Sequence, residues 1–133
     1  MHTTRLPRGR RGRGAAAVEF ALVLPLLLAL VLGVIDWGYY FFVEQVVVNA
    51  AREGARVGTL QSNPTPVDAE ANAKAACLAF IGQAGLDATR ATCTPTTLAQ
   101  SIAVTASYKT GSLTGFTDAI VPAGAYARAE MRN

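Results

Sequence analysis

The chain has 133 residues, of which 51% are hydrophobic and 16% are charged, and its formal net charge is +3. This length suits one small domain with an appendage, and the charged fraction is low for a soluble domain. The single histidine is His2, which excludes a Ser-His-Asp triad or a multi-histidine metal site within the body of the chain. We therefore expect no catalysis, no cofactor, no metal and no small-molecule substrate.

Residues 1–14 form a basic head that accounts for the positive charge. The head contains five of the twelve basic residues, so the remaining chain has seven basic and nine acidic groups and a net charge of −2. An arginine block can bind nucleic acid, but a block directly before an apolar run is more typical of a cytoplasmic anchor. The sequence therefore predicts a membrane partner and no nucleic-acid partner.

Residues 15–43 are predicted to form a membrane-spanning helix. Its charge-free part, residues 20–35, would be about 24 Å long as a helix, against about 30 Å for a bilayer core. Small residues extend the run on one side, and Trp37 and Tyr40 suit a membrane interface on the other. Because the arginines precede the run, the N-terminus is expected in the cytoplasm and the C-terminal body across the membrane.

A cleaved secretory signal has the same outline, with a basic head and an apolar core. However, the apolar run ends in the bulky sequence VIDWGYYFF, where a signal peptidase needs small residues. The small residues lie in front instead, in GRGAAAVEF, which contains Glu19. A carboxylate near hydrocarbon costs several kcal/mol unless it is paired, protonated or at headgroup depth.

Residues 44–60 are predicted to extend this helix beyond the membrane. Polar residues recur at helical spacing on one face. These are Gln45, Asn49, Arg52, Glu53 and Arg56. Ala50, Gly54 and Gly58 repeat every fourth residue on another face, and such small residues let a second backbone approach closely. This stripe fits packing against the chain's own body and contact with a neighbouring subunit equally well.

Residues 61–133 are predicted to form a small domain, so the fold class is α+β. It comprises a long membrane-spanning helix, one or two further helices and a short antiparallel sheet. The segment at residues 67–86 is predicted to be helical, and residues 87–97 are predicted to be a loop. The predicted apolar stripe of that helix is Val67, Ala71, Ala75, Leu78 and Ile81. Residues 101–108 and 125–133 alternate between apolar and polar residues and predict two antiparallel strands.

Cys77 and Cys93 both fall in the part assigned to an oxidising compartment. A disulfide between them would be worth about 3 kcal/mol in the chain-entropy model. Such a link suits a domain whose core is thin for its size. The disulfide is favoured, and two separate buried thiols are the alternative.

The junction between head and helix resembles a class III, type IV pilin-like signal. The resemblance rests on the arginine-rich leader, Gly14 and the sequence AAAVEF before the apolar run. It implies that a prepilin peptidase cuts between Gly14 and Ala15 and leaves the helix attached. Glu19 then becomes the fifth residue, and its carboxylate can pair with the new α-amino group of a neighbouring subunit and set the register between them.

The sequence NAAREGAR, residues 49–56, resembles the segment after the membrane helix in TadE-like proteins of the tight-adherence (Tad/Flp) pilus system. The motif residues are Asn49, Arg52, Glu53, Gly54 and Arg56. The resemblance covers about residues 12–58 and implies a minor pseudopilin of the bacterial inner membrane whose C-terminal domain is periplasmic. Its implied partners are other pilins or pseudopilins and the pilus assembly machinery, and its implied role is structural.

A second interpretation comes from a different class of protein. The chain would be a single-pass anchored binding module that keeps its leader and recognises a ligand with its outer domain. The two interpretations differ in whether the peptide bond between Gly14 and Ala15 is cleaved. It is cleaved in the pseudopilin and stays intact in the anchored binding module.

Overall fold

The computed structural model describes residues 11–60 and 65–132. The first helix, α1, runs from Arg11 to Thr59 and passes through Pro25 without a break. Its 49 residues correspond to a length of about 73 Å. Leader residues 1–10 and most of the predicted break at residues 61–66 lie outside the described part of the chain.

The second helix, α2, runs from Pro66 to Gln83. Thr65 is its N-cap, because its hydroxyl oxygen accepts a hydrogen bond of 3.2 Å from the Asp68 amide. Pro66 follows at a helix-start position where a missing amide hydrogen costs nothing. Beyond the end of the helix, Gly85 has a φ of +83°, which a residue with a side chain rarely adopts.

The predicted apolar stripe of α2 is wrong at Val67, Ala71 and Ala75, whereas Ile81 is buried as predicted and Leu78 is partly buried. The buried side chains repeat every fourth position, at Ala69, Ala73, Cys77 and Ile81. Val67 and Ala75 are exposed instead. The reason is close packing, because the small side chains of α2 face the small-residue stripe of α1, and the larger Val67 would hold the two helices apart.

Three antiparallel strands form one sheet in the order β1-β2-β3, which confirms the predicted α+β class. They are β1 (Ala91–Leu98), β2 (Ser101–Lys109) and β3 (Gly124–Arg132). The strands predicted at residues 101–108 and 125–133 correspond to β2 and β3.

The loop predicted at residues 87–97 is wrong, because most of it forms a turn of 3₁₀ helix at Ala88–Arg90 and strand β1. Pro95 is tolerated in β1 because this strand lies at the edge of the sheet, where an amide can be missing. Threonines, which favour strands, occupy exposed positions of β1. They also occur at an inward position, so the alternation of apolar and polar residues is not visible in the sequence.

Both helices cover the same face of the sheet, with α1 on β2 and β3, and α2 on α1 and β1. The core consists of small and branched residues, with Val47, Ile81, Ile102 and Val104 among its fully buried members. The other face of β3 is exposed, with Tyr126 at its surface.

The small-residue stripe of α1 packs against the chain's own body. A Cβ atom placed on Gly54 would lie 2.8 Å from the backbone oxygen of Ala73, and one on Gly58 would lie 2.6 Å from Ile102 Cδ1. Of the two alternatives for this stripe, the structure supports the intramolecular one.

A disulfide joins Cys77 of α2 to Cys93 of β1, with their Cα atoms 6.3 Å apart. Both residues are buried. The link therefore fastens the edge strand to the helix layer that covers the sheet.

Candidate functional site

The N-terminal part of α1 extends away from the folded body. From Gly14 to Ile35 every residue is exposed or only partly buried, although most of the side chains are apolar. Leu22 and Leu26 have relative exposures of 76% and 73%. The helix is long and apolar enough to cross a membrane, and its most apolar window has no buried residue, unlike the core helix of a soluble domain. This segment is compatible with a single-pass membrane anchor.

Gly14, Ala15 and Glu19 all lie in the exposed first turns of α1. Across residues 14–60 and 65–132, the one ion pair joins Glu53 to Arg56. The chain therefore supplies no described cation to Glu19, and its pairing with a neighbouring subunit stays a prediction. Cleavage between Gly14 and Ala15 likewise stays a prediction.

Asp36 marks the point where α1 enters the folded body. From Gly14 onward it is the first buried residue of the helix, and its side chain is fully enclosed. Its carboxylate accepts hydrogen bonds from the Thr114 amide (2.9 Å), the Thr114 hydroxyl (2.7 Å) and the Thr117 hydroxyl (2.6 Å). A buried carboxylate is stable only with such partners. We call these three residues the Asp36 clamp.

The clamp holds the β2–β3 loop, residues 110–123, against the end of the folded body from which the exposed apolar part of α1 extends. Sequence reasoning missed this site and used Asp36 only to mark the end of the charge-free run. A signal was present, because Asp36 falls at helical spacing on the same stripe as the buried Val43, Val47 and Ala50. A polar residue in a buried stripe requires a hydrogen-bonding partner.

A second carboxylate in the same loop is satisfied locally. The Asp118 carboxylate accepts hydrogen bonds from the Ser112 amide (3.0 Å) and the Ser112 hydroxyl (2.7 Å). These bonds stabilise the charged form and lower the pKa of Asp118. They also close the loop on itself across six residues.

The motif NAAREGAR divides into an inner and an outer face. Gly54 is buried against α2, whereas Asn49, Arg52 and Arg56 are exposed. The Arg56 guanidinium donates to both carboxylate oxygens of Glu53, at 2.9 and 2.6 Å. This pairing lowers the pKa of Glu53 and raises that of Arg56. The motif residues thus do two things: they pack the helices together and present a charged outer surface.

The described residues contain no group of three or more His, Cys, Asp or Glu side chains that could hold a metal ion. The features that stand out are an uncovered apolar helix, a buried polar clamp at its base and a charged helix face. This arrangement suits anchoring and contact with other molecules.

A family model described as TadE-like protein matches residues 14–56. The match includes the exposed apolar segment, Glu19 and the NAAREGAR motif, and it ends before α2 and the sheet. No curated protein and no solved structure matches this chain. The resemblance inferred from the sequence is confirmed over these residues, where the chain is similar to TadE-like proteins.

Proposed function

We propose that this chain is a minor pseudopilin that takes part in assembly of a Tad/Flp-type pilus, with a structural role and no catalysis. The TadE-like match supports a protein associated with the Tad pilus. The single observation that carries the finer role is the uncovered apolar segment of α1, residues 14–35, inside the matched region. A free helix of this kind can lie in lipid before assembly and against other helices afterwards.

In this proposal a prepilin peptidase of the inner membrane cuts between Gly14 and Ala15 on the cytoplasmic side. Gly14 lies one turn into α1, where glycine weakens a helix by about 1 kcal/mol relative to alanine. Local unwinding at the helix start is therefore inexpensive. Cleavage removes the five leader arginines and leaves a cationic α-amino group at Ala15.

The new amino group explains why a carboxylate belongs at Glu19. A cation at a helix N-terminus is disfavoured by the helix dipole, so an approaching carboxylate stabilises it. In hydrocarbon, pairing reduces the cost of each charge, and removal of one partner leaves the other uncompensated. A glutamate from the next subunit meets this need and fixes the axial position of that subunit.

The experiment is complementation of a strain that lacks the native gene, with Glu19→Gln and Glu19→Ala. Both variants should reach the membrane in normal amounts, and both should impair pilus production. Glu44→Gln is the matched control, because Glu44 is a partly buried carboxylate on the same helix but outside the apolar segment. Normal piliation with Glu19→Gln and Glu19→Ala contradicts the pairing role.

A further inference from the structure

The β2–β3 loop, residues 110–123, exposes three large apolar side chains. Leu113, Phe116 and Ile120 have relative exposures of 63%, 58% and 70%. The loop's inward positions are different, because Thr117 and Val121 are buried. The loop is therefore a fixed platform with an apolar outer side, and an exposed apolar cluster of this kind marks a contact surface.

The Asp36 clamp fixes the position of this loop along the axis of α1. Thr114 and Thr117 both bond to Asp36, and the exposed Leu113 and Phe116 are their immediate chain neighbours. The platform is thus held at the level at which α1 leaves the folded body and its apolar segment begins.

That level coincides with a membrane surface. Ala15 and Asp36 are twenty-one residues apart in one helix, which corresponds to about 32 Å along its axis. A bilayer hydrocarbon core is about 30 Å thick. If Ala15 lies at the cytoplasmic boundary, Asp36 lies at the opposite one. Trp37, Tyr39 and Tyr40, which follow it in α1, are residue types that concentrate at such interfaces.

The composition of the loop fits the same depth. Asp118 is the one charged residue between positions 110 and 123, and its carboxylate is bonded to Ser112. The other polar groups are hydroxyls and backbone amides, which tolerate the headgroup region. A segment with apolar side chains on its outside and no cation suits burial among neutral lipids rather than attraction to an anionic surface.

We propose that the β2–β3 loop is a second membrane contact, and that Leu113, Phe116 and Ile120 lie in the interfacial region of the leaflet on the domain side. The helix and the loop together would fix the tilt and rotation of the domain above the membrane. This inference rests on the membrane anchor of the proposed function, and the test separates the two.

The test uses the full-length chain in phosphatidylcholine vesicles and follows tryptophan quenching by brominated lipids. Trp37 is the sole tryptophan, so single-tryptophan variants can be made in a Trp37→Phe background. Phe116→Trp reports on the loop and Leu28→Trp on the anchor. Tyr126→Trp is the matched control, because Tyr126 is 67% exposed on the outer face of β3.

We expect Leu28→Trp to lose most fluorescence with lipids brominated deep in the acyl chain. The fluorescence of Phe116→Trp should decrease most with lipids brominated near the headgroup. The fluorescence of Tyr126→Trp should not decrease with either lipid. Quenching of Leu28→Trp without quenching of Phe116→Trp overturns the loop contact, leaves the anchor intact and points to a neighbouring subunit as the occupant. If none of the three tryptophans is quenched, both the anchor and the loop contact are overturned.

Discussion

The close approach of α1 and α2 at Gly54 makes the sharpest stability prediction. In Gly54→Ala the new methyl group would lie 2.8 Å from the Ala73 backbone oxygen and 3.1 Å from Cys77 Cβ. A backbone oxygen inside a helix cannot rotate away, and Cys77 is held by the disulfide, so α2 must shift as a whole. Overpacking of this kind costs about 1–3 kcal/mol.

The same substitution gains helix propensity, because alanine is better than glycine in a helix by about 1 kcal/mol. The net expectation for Gly54→Ala is a decrease of about 1 kcal/mol in the free energy of unfolding. Gly82→Ala is the matched control, because Gly82 lies in α2 and nothing approaches its Cβ position within 4 Å. That variant should be unchanged or more stable by up to about 1 kcal/mol.

Pulse proteolysis of the full-length chain in detergent micelles, across a urea series, measures both free energies. Gly54→Ala should lower the urea midpoint, whereas Gly82→Ala should leave it unchanged or raise it. A Gly54→Ala protein that is as stable as Gly82→Ala would show that the helices are not in tight contact, and it would refute the packing described for α1 and α2.

Three further predictions follow from other contacts. Replacement of both disulfide cysteines by alanine should lower the free energy of unfolding by about 3 kcal/mol, as expected for a closed loop of about fifteen residues, and an unchanged urea midpoint would contradict the link between α2 and β1. Asp36→Ala leaves an amide and two hydroxyls without their acceptor, so amide hydrogens of the β2–β3 loop should exchange faster while those of β2 stay protected; unaltered exchange would count against the clamp. The lowered pKa of Glu53 means that its ion pair stabilises the fold above the ordinary value of 4.5 and is lost as the pH falls through the lower folded value. Glu53→Gln should therefore show a smaller acid-induced loss of stability than the wild type, and equal losses would mean that the pair with Arg56 contributes nothing.

The sequence predicted the elements whose patterns are strong. The apolar run, the helical spacing after it and the clean alternation of β2 and β3 are set by local periodicity, so they could be read without the fold. Strand β1 could not, because its exposed positions are threonines and it contains Pro95. Edge strands tolerate both features, and edge position is a tertiary property.

The buried stripe of α2 was missed for a related reason. Hydropathy favours the larger Val67 over Ala69 and Ala73, but the contact with Gly54 and Gly58 selects small side chains. Which face of α2 is buried therefore depends on the surface of α1 that it packs against and not on the sequence of α2 alone. The stripe of α1, by contrast, was visible in the sequence, and only its partner was undecided.

The Asp36 clamp shows the limit of local reasoning most clearly. Its two threonine partners are 78 and 81 residues away in the sequence. A single sequence shows that a carboxylate on a buried stripe needs a donor but does not say which donor supplies it. Glu19 presents the converse case, since the sequence singles it out and the chain itself offers no described partner.

The proposed function requires that cleavage between Gly14 and Ala15 converts α1 into a pilin-like helix. Intact mass measurement and N-terminal sequencing of the protein extracted from membranes, from cells with an active prepilin peptidase, test this claim most directly. We expect a chain that begins at Ala15. A chain that still carries the leader arginines would contradict the pseudopilin role and support an uncleaved membrane-anchored binding module.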